Sequence, residues 1–430
     1  MNRGPLVTSA ALAAAAVLLA AGCSPQTKSD TSRDLDSLPA ASTVPTSPSE
    51  VAPSAAPQPS GDATIIPPDS ASETPTAEPD GAGEPSTPAS PDPSRSPVGT
   101  ARGSVEVVDT VATDIPVPWG MAELPDGTVL VTSRDEHHLY RVAPKAGKVV
   151  DLGEIPGVVS DGGEGGLLGV AVSSYYPDTK RIFLYYSTAT DNRIATVTLQ
   201  PGSPATLSDP DVVFSGIPRG FRHNGGRIVF GPDDMLYVGT GETEVPALAQ
   251  DTSSLGGKIL RMTPQGKPAP GNPFKNSVVY SYGHRNVQGL TFNEQGRLFA
   301  SEFGDKTADE LNWIRPGRNY GWPASQGTTD LEGITSPIAE FGTDEDSPSG
   351  VAMAGGSVYM AALRGERLWR IPLDGTKLVA QPRAFLIGEF GRLRTVLALS
   401  ETQLLVSTSN TDGRISPRPG DDRLLLVDVS

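Results

Sequence analysis

Cysteine is nearly absent. The 430 residues hold one, Cys23, so no intramolecular disulfide can form. Aromatic side chains are missing from the first hundred positions, and past the N-terminal apolar run that region has no stretch able to build a core. All four Trp and all ten Tyr lie beyond Ser104. One folded domain is therefore expected over residues 104–430, long enough to be held by burial without cross-links. Positive charge is also scarce: 34 Lys and Arg against 50 Asp and Glu leave a net charge of −16. That balance argues against nucleic acid as a partner and against adhesion to anionic headgroups. The apolar run Ala10 to Ala21 falls short of the about 20 residues that span a bilayer.

What the N-terminus does have is the layout of a secretory signal: Arg3, the apolar run, then Leu19-Ala20-Ala21-Gly22-Cys23. This ending resembles the lipobox of bacterial lipoproteins. The resemblance implies a signal peptide over residues 1–22, cleavage before Cys23, and diacylglycerol on its sulfur. The chain would then sit at the extracytoplasmic face of the cell membrane on a lipid anchor, each buried CH₂ contributing roughly 0.8 kcal/mol. An ordinary cleaved signal with an incidental cysteine is the alternative. Residues 23–103 are rich in Pro, Ser, Thr and Ala, as in Ser86-Thr87-Pro88-Ala89-Ser90-Pro91. Such a composition buries too little apolar area to offset its ordering entropy, so a disordered, partly polyproline linker is expected. As a coil it would reach about 50 Å. It serves as a spacer or is a tolerated low-complexity tail, and stalks of this kind can carry O-linked sugars.

Within residues 104–430 a unit recurs: apolar strand, tight turn, second apolar strand. Copies start at Met121, Val170, Ile228, Leu290, Val351 and Val396, at intervals of roughly 45 to 62 residues. Each copy predicts a β-hairpin. Several are followed by a third strand with Arg between apolar residues: Leu139-Tyr-Arg-Val142, Ile259-Leu-Arg-Met262 and Leu368-Trp-Arg-Ile371. Six copies predict an all-β, six-bladed propeller, with a strand near Val105 to Val111 completing the last blade. A β-sandwich would not repeat this way. Loops of a propeller converge on one end of its axis, so polar residues at hairpin ends are candidates for a shared site.

Four segments set polar groups beside glycine-rich turns. They are Asp161-Gly-Gly-Glu164-Gly-Gly-Leu-Leu-Gly169, Phe221-Arg-His223-Asn-Gly-Gly226, Tyr282-Gly-His284-Arg285-Asn286-Val-Gln288-Gly289, and Ser301-Glu302-Phe303-Gly304-Asp305 running on to Asp309-Glu310-Leu-Asn312 and Asn319-Tyr320-Gly-Trp322-Pro323. These segments resemble the soluble quinoprotein glucose dehydrogenase and aldose sugar dehydrogenase family, which uses pyrroloquinoline quinone (PQQ) and calcium on a six-bladed propeller. By that resemblance His223 matches the general base that takes the proton of the sugar's anomeric hydroxyl, work for which imidazole is suited. Arg285, Asn286 and the pair Arg392 and Arg394 match cofactor-binding positions, a guanidinium being a fork for carboxylates. Gly304 and Asp305 match backbone carbonyls on the cofactor's calcium, and Glu310 a position at a structural calcium. The residues alone leave other roles open: a loop hydrogen bond for His223, ion pairing for the arginines, a turn cap for Glu310. His284 is expected to orient its loop and Trp322 to lie in the core.

The chain departs from the glucose dehydrogenase branch. Glu242 stands for the Asp that supports the catalytic His, and Glu164 for a Gln beside the cofactor. Phe303 replaces a polar residue, Asp305 a proline, and Leu363 a cofactor-binding Lys, with Arg364 adjacent. A carboxylate at 164 would repel PQQ unless paired or calcium-bound. The resemblance implies PQQ- and calcium-dependent oxidation of aldoses to lactones, with electrons leaving to a membrane acceptor. The rival from a different class is a non-catalytic propeller that binds a glycan or a cell-envelope partner. A metal-dependent lactonase rests on fold analogy alone.

Overall fold

The computed structural model describes residues 101–202 and 205–430, so the expected signal peptide, the Cys23 anchor and almost all of the linker lie outside the described residues. Six antiparallel sheets are arranged around one axis. Their innermost strands are Pro118–Glu123, Leu167–Val172, Ile228–Phe230, Val287–Phe292, Pro348–Ala354 and Leu393–Ser400. Each touches the next, and the sixth touches the first. All six predicted hairpins are present. The ring closes as expected: Val105–Ala112 pairs antiparallel with the C-terminal strand Leu424–Val429, Val105 opposite Val429 and Thr110 opposite Leu425. The N-terminal segment thereby supplies the outer strand of the sixth blade.

The continuous apolar runs of the second strands follow from burial on both faces. Successive side chains of a strand point to opposite faces, and here each face meets a neighbouring blade. In Val129–Ser133, Leu130 joins the cluster shared with the second blade, whereas Val129 and Val131 join the cluster shared with the sixth. Tyr359 and Ala361 likewise pack toward the sixth blade, while Val358 and Met360 pack toward the fourth. Six clusters fill the six blade interfaces in this way. Fully burying one such Leu or Val contributes roughly 1.5–3 kcal/mol, so the blades hold one another without disulfides.

One irregularity recurs where the inner strands begin. A register shift against the second strand falls between Pro118 and Met121, Leu167 and Val170, Val287 and Gly289, Pro348 and Val351, and Leu393 and Thr395. Bulges of this kind re-aim side chains at the rims of β-structures. Here they mark the end of the axis where the glycine-rich segments gather.

Candidate active site

A cavity of about 180 Å³ opens at that end of the axis. Its wall takes the second residue of three inner strands, Trp119, Gln288 and Arg394, together with Arg392, Arg134, Arg364, Arg414, Glu164, Ser347, Phe303 and Leu363. Five guanidinium groups thus face one carboxylate. Arg392 donates from Nε and Nη2 to Asp412 Oδ2, at 3.1 and 3.0 Å. Arg394 donates from Nη1 to Gln288 Oε1 at 2.8 Å, stands 3.9 Å from Asp412, and leaves its buried Nε without a partner. Burial pushes the Arg394 guanidinium down to about 9 and lowers Arg392 as well. The two arginines therefore share one face and one acid, as the spacing predicts, and both retain unspent affinity for an anion.

His223 and Glu242 are not among the residues that line this cavity; His223 adjoins it through Glu164. His223 Nδ1 is 2.7 Å from Glu242 Oε1, and Glu242 is 1% exposed. With Nδ1–H donated to the carboxylate, Nε2 carries the free lone pair, the arrangement a general base needs. The longer Glu reaches where the related branch has Asp. His223 is held in a left-handed backbone conformation, φ 55°. Its N–H donates to Glu164 Oε2 at 2.9 Å, and its carbonyl accepts from Thr243 at 3.2 Å. Gly241 must be glycine, because a Cβ there would stand 1.8 Å from the His223 carbonyl oxygen. Glu164 is not a free charge: Arg414 Nη2 lies 3.2 Å from its Oε1. The feared repulsion of an anionic ligand is answered by a residue 250 positions away in sequence.

The other candidate residues are placed as follows. Asn286 is buried, and its Oδ1 accepts the N–H of Gly225 at 3.0 Å, tying the third segment to the histidine loop. Arg285 does not line the main cavity. It lies in a small neighbouring cleft with Gly304, Glu310 and Trp322, and Phe303 forms part of both walls. Its Nη2 is 3.5 Å from Asp305 Oδ1, and its buried Nε is unpartnered. Trp322 is not core. It is half-buried in the wall of that cleft, with the Arg285 guanidinium 5.3 Å from its ring centre. His284 orients its loop, fully buried between Glu302 and Ser281 and stacked on Tyr320 at 4.7 Å.

Gly304 and Asp305 spend their N–H groups on Asp309 Oδ1 and Gln326 Oε1, at 2.7 and 2.8 Å. Their carbonyl oxygens accept no hydrogen bond among the described residues. Hard cations are held by oxygens of this sort. Glu310 caps a turn, accepting from Gly327 at 2.5 Å and from Asn312 at 2.9 Å. Burial, and secondly the Glu302 charge, push its carboxyl well above the usual carboxylate range. No cluster of three or more His, Cys, Asp or Glu suited to a metal occurs among the described residues.

Sequence reading missed Trp119, Arg134, Asp412 and Arg414, and gave Gln288, which stands in the third polar segment, no role of its own. A signal existed for some of them. Arg134 directly follows a second strand, at the rim end of its hairpin. Gln288 and Arg394 take the same place in their inner strands. Arg414 and Asp412 sit in the long loop before the last strand, outside any repeat position.

Comparison with known proteins agrees with this geometry. A family model described as Glucose / Sorbosone dehydrogenase matches residues 115–417. Aldose sugar dehydrogenase YliI of Escherichia coli is 30% identical over 337 residues, covering 70% of this chain and 90% of its own. Quinoprotein glucose dehydrogenase B of Acinetobacter calcoaceticus is 32% identical over 277 residues, covering 55% and 56%. The structure of an aldose sugar dehydrogenase from Streptomyces coelicolor in its PQQ-bound form shares 56% identity and a TM-score of 0.75, covering 78% of this chain and all of that one. The repeat, the ring of six sheets and the match over most of the propeller lead to one conclusion: this chain belongs to the glucose/sorbosone dehydrogenase family.

Proposed function

We propose that the protein oxidises aldose sugars at the anomeric carbon to lactones, with PQQ and Ca²⁺ as cofactors, at the extracytoplasmic face of a membrane. The observation that carries this reading is the His223–Glu242 pair, joined through Glu164 to an arginine-lined cavity. The residues fit the cofactor. A tricarboxylate needs forked cations: five line the cavity, with an unpartnered Nε on Arg394, and Arg285 in the neighbouring cleft has an unpartnered Nε as well. Calcium would rest on the free carbonyls of Gly304 and Asp305. PQQ, when bound, supplies the acceptor for the hydride of the sugar's C1.

The chain's own residues do the rest. His223 Nε2 takes the proton of the C1 hydroxyl as the hydride leaves. Glu242 fixes the tautomer and holds the imidazolium that results. Glu164 and Arg414 fix the strained backbone of His223. Arg392 and Arg394 orient the anionic ligand. The sequence signal at Leu19–Cys23 supports a lipid anchor on Cys23, which would keep the domain near a membrane electron acceptor.

Reconstitution of the purified protein with PQQ and Ca²⁺, assayed with aldoses and a dye acceptor, tests the reading. Aldose-dependent reduction is expected, lost on omitting either cofactor. Absence of PQQ binding by calorimetry at large excess would sink it. A second reading, a non-catalytic propeller for a glycan or envelope partner, draws on Phe303 and Leu363, which make part of the wall apolar. Envelope binding that survives His223→Ala, without turnover, would favour that alternative.

A further inference from the structure

Below the arginine-lined cavity, farther along the same inner strands, lies a second cavity of about 240 Å³. The strands all begin at the first cavity's end, so this one is the continuation of the axial channel. Its walls come from five of the six inner strands, and apart from Arg227 and two threonines their side chains are apolar, Met121, Leu290, Val351 and Val396 among them. One charged side chain reaches it, Arg227, and no carboxylate does. Arg227 is 7% exposed and forms no salt bridge with any described residue. Its Nε donates to the Gln288 carbonyl at 2.8 Å and its Nη2 to Thr395 Oγ1 at 3.0 Å. The guanidinium carbon lies 4.4 Å from the Trp119 ring centre. Both hydrogen-bond partners are neutral, and the other N–H groups of the fork are left for whatever fills the channel. Desolvation is the cause that pushes this guanidinium down to about 9.

A buried guanidinium without a counter-charge is unusual, because an unpaired ion in an apolar surrounding is costly. A full cation on one wall of a narrow apolar channel selects its counter-ion by charge and by hydration. Phosphate or sulfate would shed tightly held water on entering and find only one cation. A monovalent ion with loosely held water sheds less and still gains the charge-assisted hydrogen bonds. We propose that the axial channel at Arg227 is a binding site for a monovalent, weakly hydrated anion of halide size, recognised by the free edge of that guanidinium. Chloride is the common ion of this class. The bound ion neutralises the charge under Trp119, at the floor of the cavity above. The site does not depend on which sugar or cofactor the upper cavity takes.

Bromide is the probe. Crystals of the full chain are soaked in sodium bromide, with sodium sulfate at equal ionic strength as control, and anomalous density is mapped. A bromide within hydrogen-bond reach of Arg227, between the inner strands, is expected, and its loss in Arg227→Met. In solution bromide raises the melting temperature of the wild type by a few degrees more than that of Arg227→Met, as a ligand of the folded state must, whereas sulfate, which stabilises by exclusion, shifts both alike. Water alone beside Arg227 at saturating bromide, or bromide confined to the Arg392–Arg394 cavity, overturns the proposal. Should Arg227→Met fail to fold, the wild-type map decides the matter by itself.

Discussion

The two ends of the axial channel are built by the same strands and differ in nearly everything else. Where the inner strands begin, bulges turn Trp119, Gln288 and Arg394 toward the axis, and loops add more arginines. Two residues later the same strands present Met121, Leu290 and Val396. The first end has charges, unpartnered buried nitrogens and strained backbone at His223. The second is lined mainly by apolar side chains, with two threonines and one cation. A blade therefore has a stable part, specified by alternation and burial, and a chemical part confined to its first residues and the loop before them. Changes in the two parts should move different observables.

The largest effect is expected at the polar end. His223→Ala removes the base and should lower turnover of aldoses by roughly 10²–10⁴-fold, while PQQ affinity by calorimetry stays near wild type. A change at a blade interface should do the reverse. Leu130 is fully buried between the first and second blades. Leu130→Ala should cost about 2–5 kcal/mol of stability through the cavity it leaves, read by denaturant unfolding, with KM unchanged in the protein that remains folded. If Leu130→Ala altered KM while leaving stability intact, the division between the two parts would fail.

The same division explains what could be read from sequence. The propeller was legible because both faces of the second strands are buried, which writes apolar runs such as Thr128-Val-Leu-Val-Thr132 and Ile182-Phe-Leu-Tyr-Tyr186 at a steady interval. The closing strand at Val105 was legible because a leftover β-strand needs an edge to pair with. The histidine, its glutamate and the Arg392–Arg394 pair stood out because polar groups beside glycines have no place in a repeat built for burial. Arg414 did not, since it partners Glu164 only through the folded ring, and a loop arginine carries no local mark. Trp322 was misread for a related reason: a large aromatic ring in a turn suggests core until the fold shows it lying under Arg285.

Arg394 tests whether function and stability oppose each other at one residue. It is buried, poorly paired and depressed to about 9. Arg394→Leu should weaken PQQ binding by roughly 10- to 100-fold, the worth of one or two hydrogen bonds to a charged group. Replacing a buried ion by an apolar group is often neutral or stabilising, and Asp412 keeps Arg392, so the melting temperature should hold or rise.

The smallest effect, and the sharpest, concerns Arg414. Its pair with Glu164 is partly exposed, 44% for the arginine side chain, so little direct stability rests on it. Its value is in the charge it cancels. Arg414→Ala leaves the Glu164 carboxylate facing an anionic ligand and should weaken PQQ binding by about 1 kcal/mol, near five- to tenfold. Glu164→Gln keeps an oxygen for the His223 N–H and removes the repulsion, so the double variant should regain wild-type affinity. Were the double variant as weak as Arg414→Ala alone, Arg414 would have to contact the ligand itself, and the account of Glu164 as a neutralised acid would be wrong.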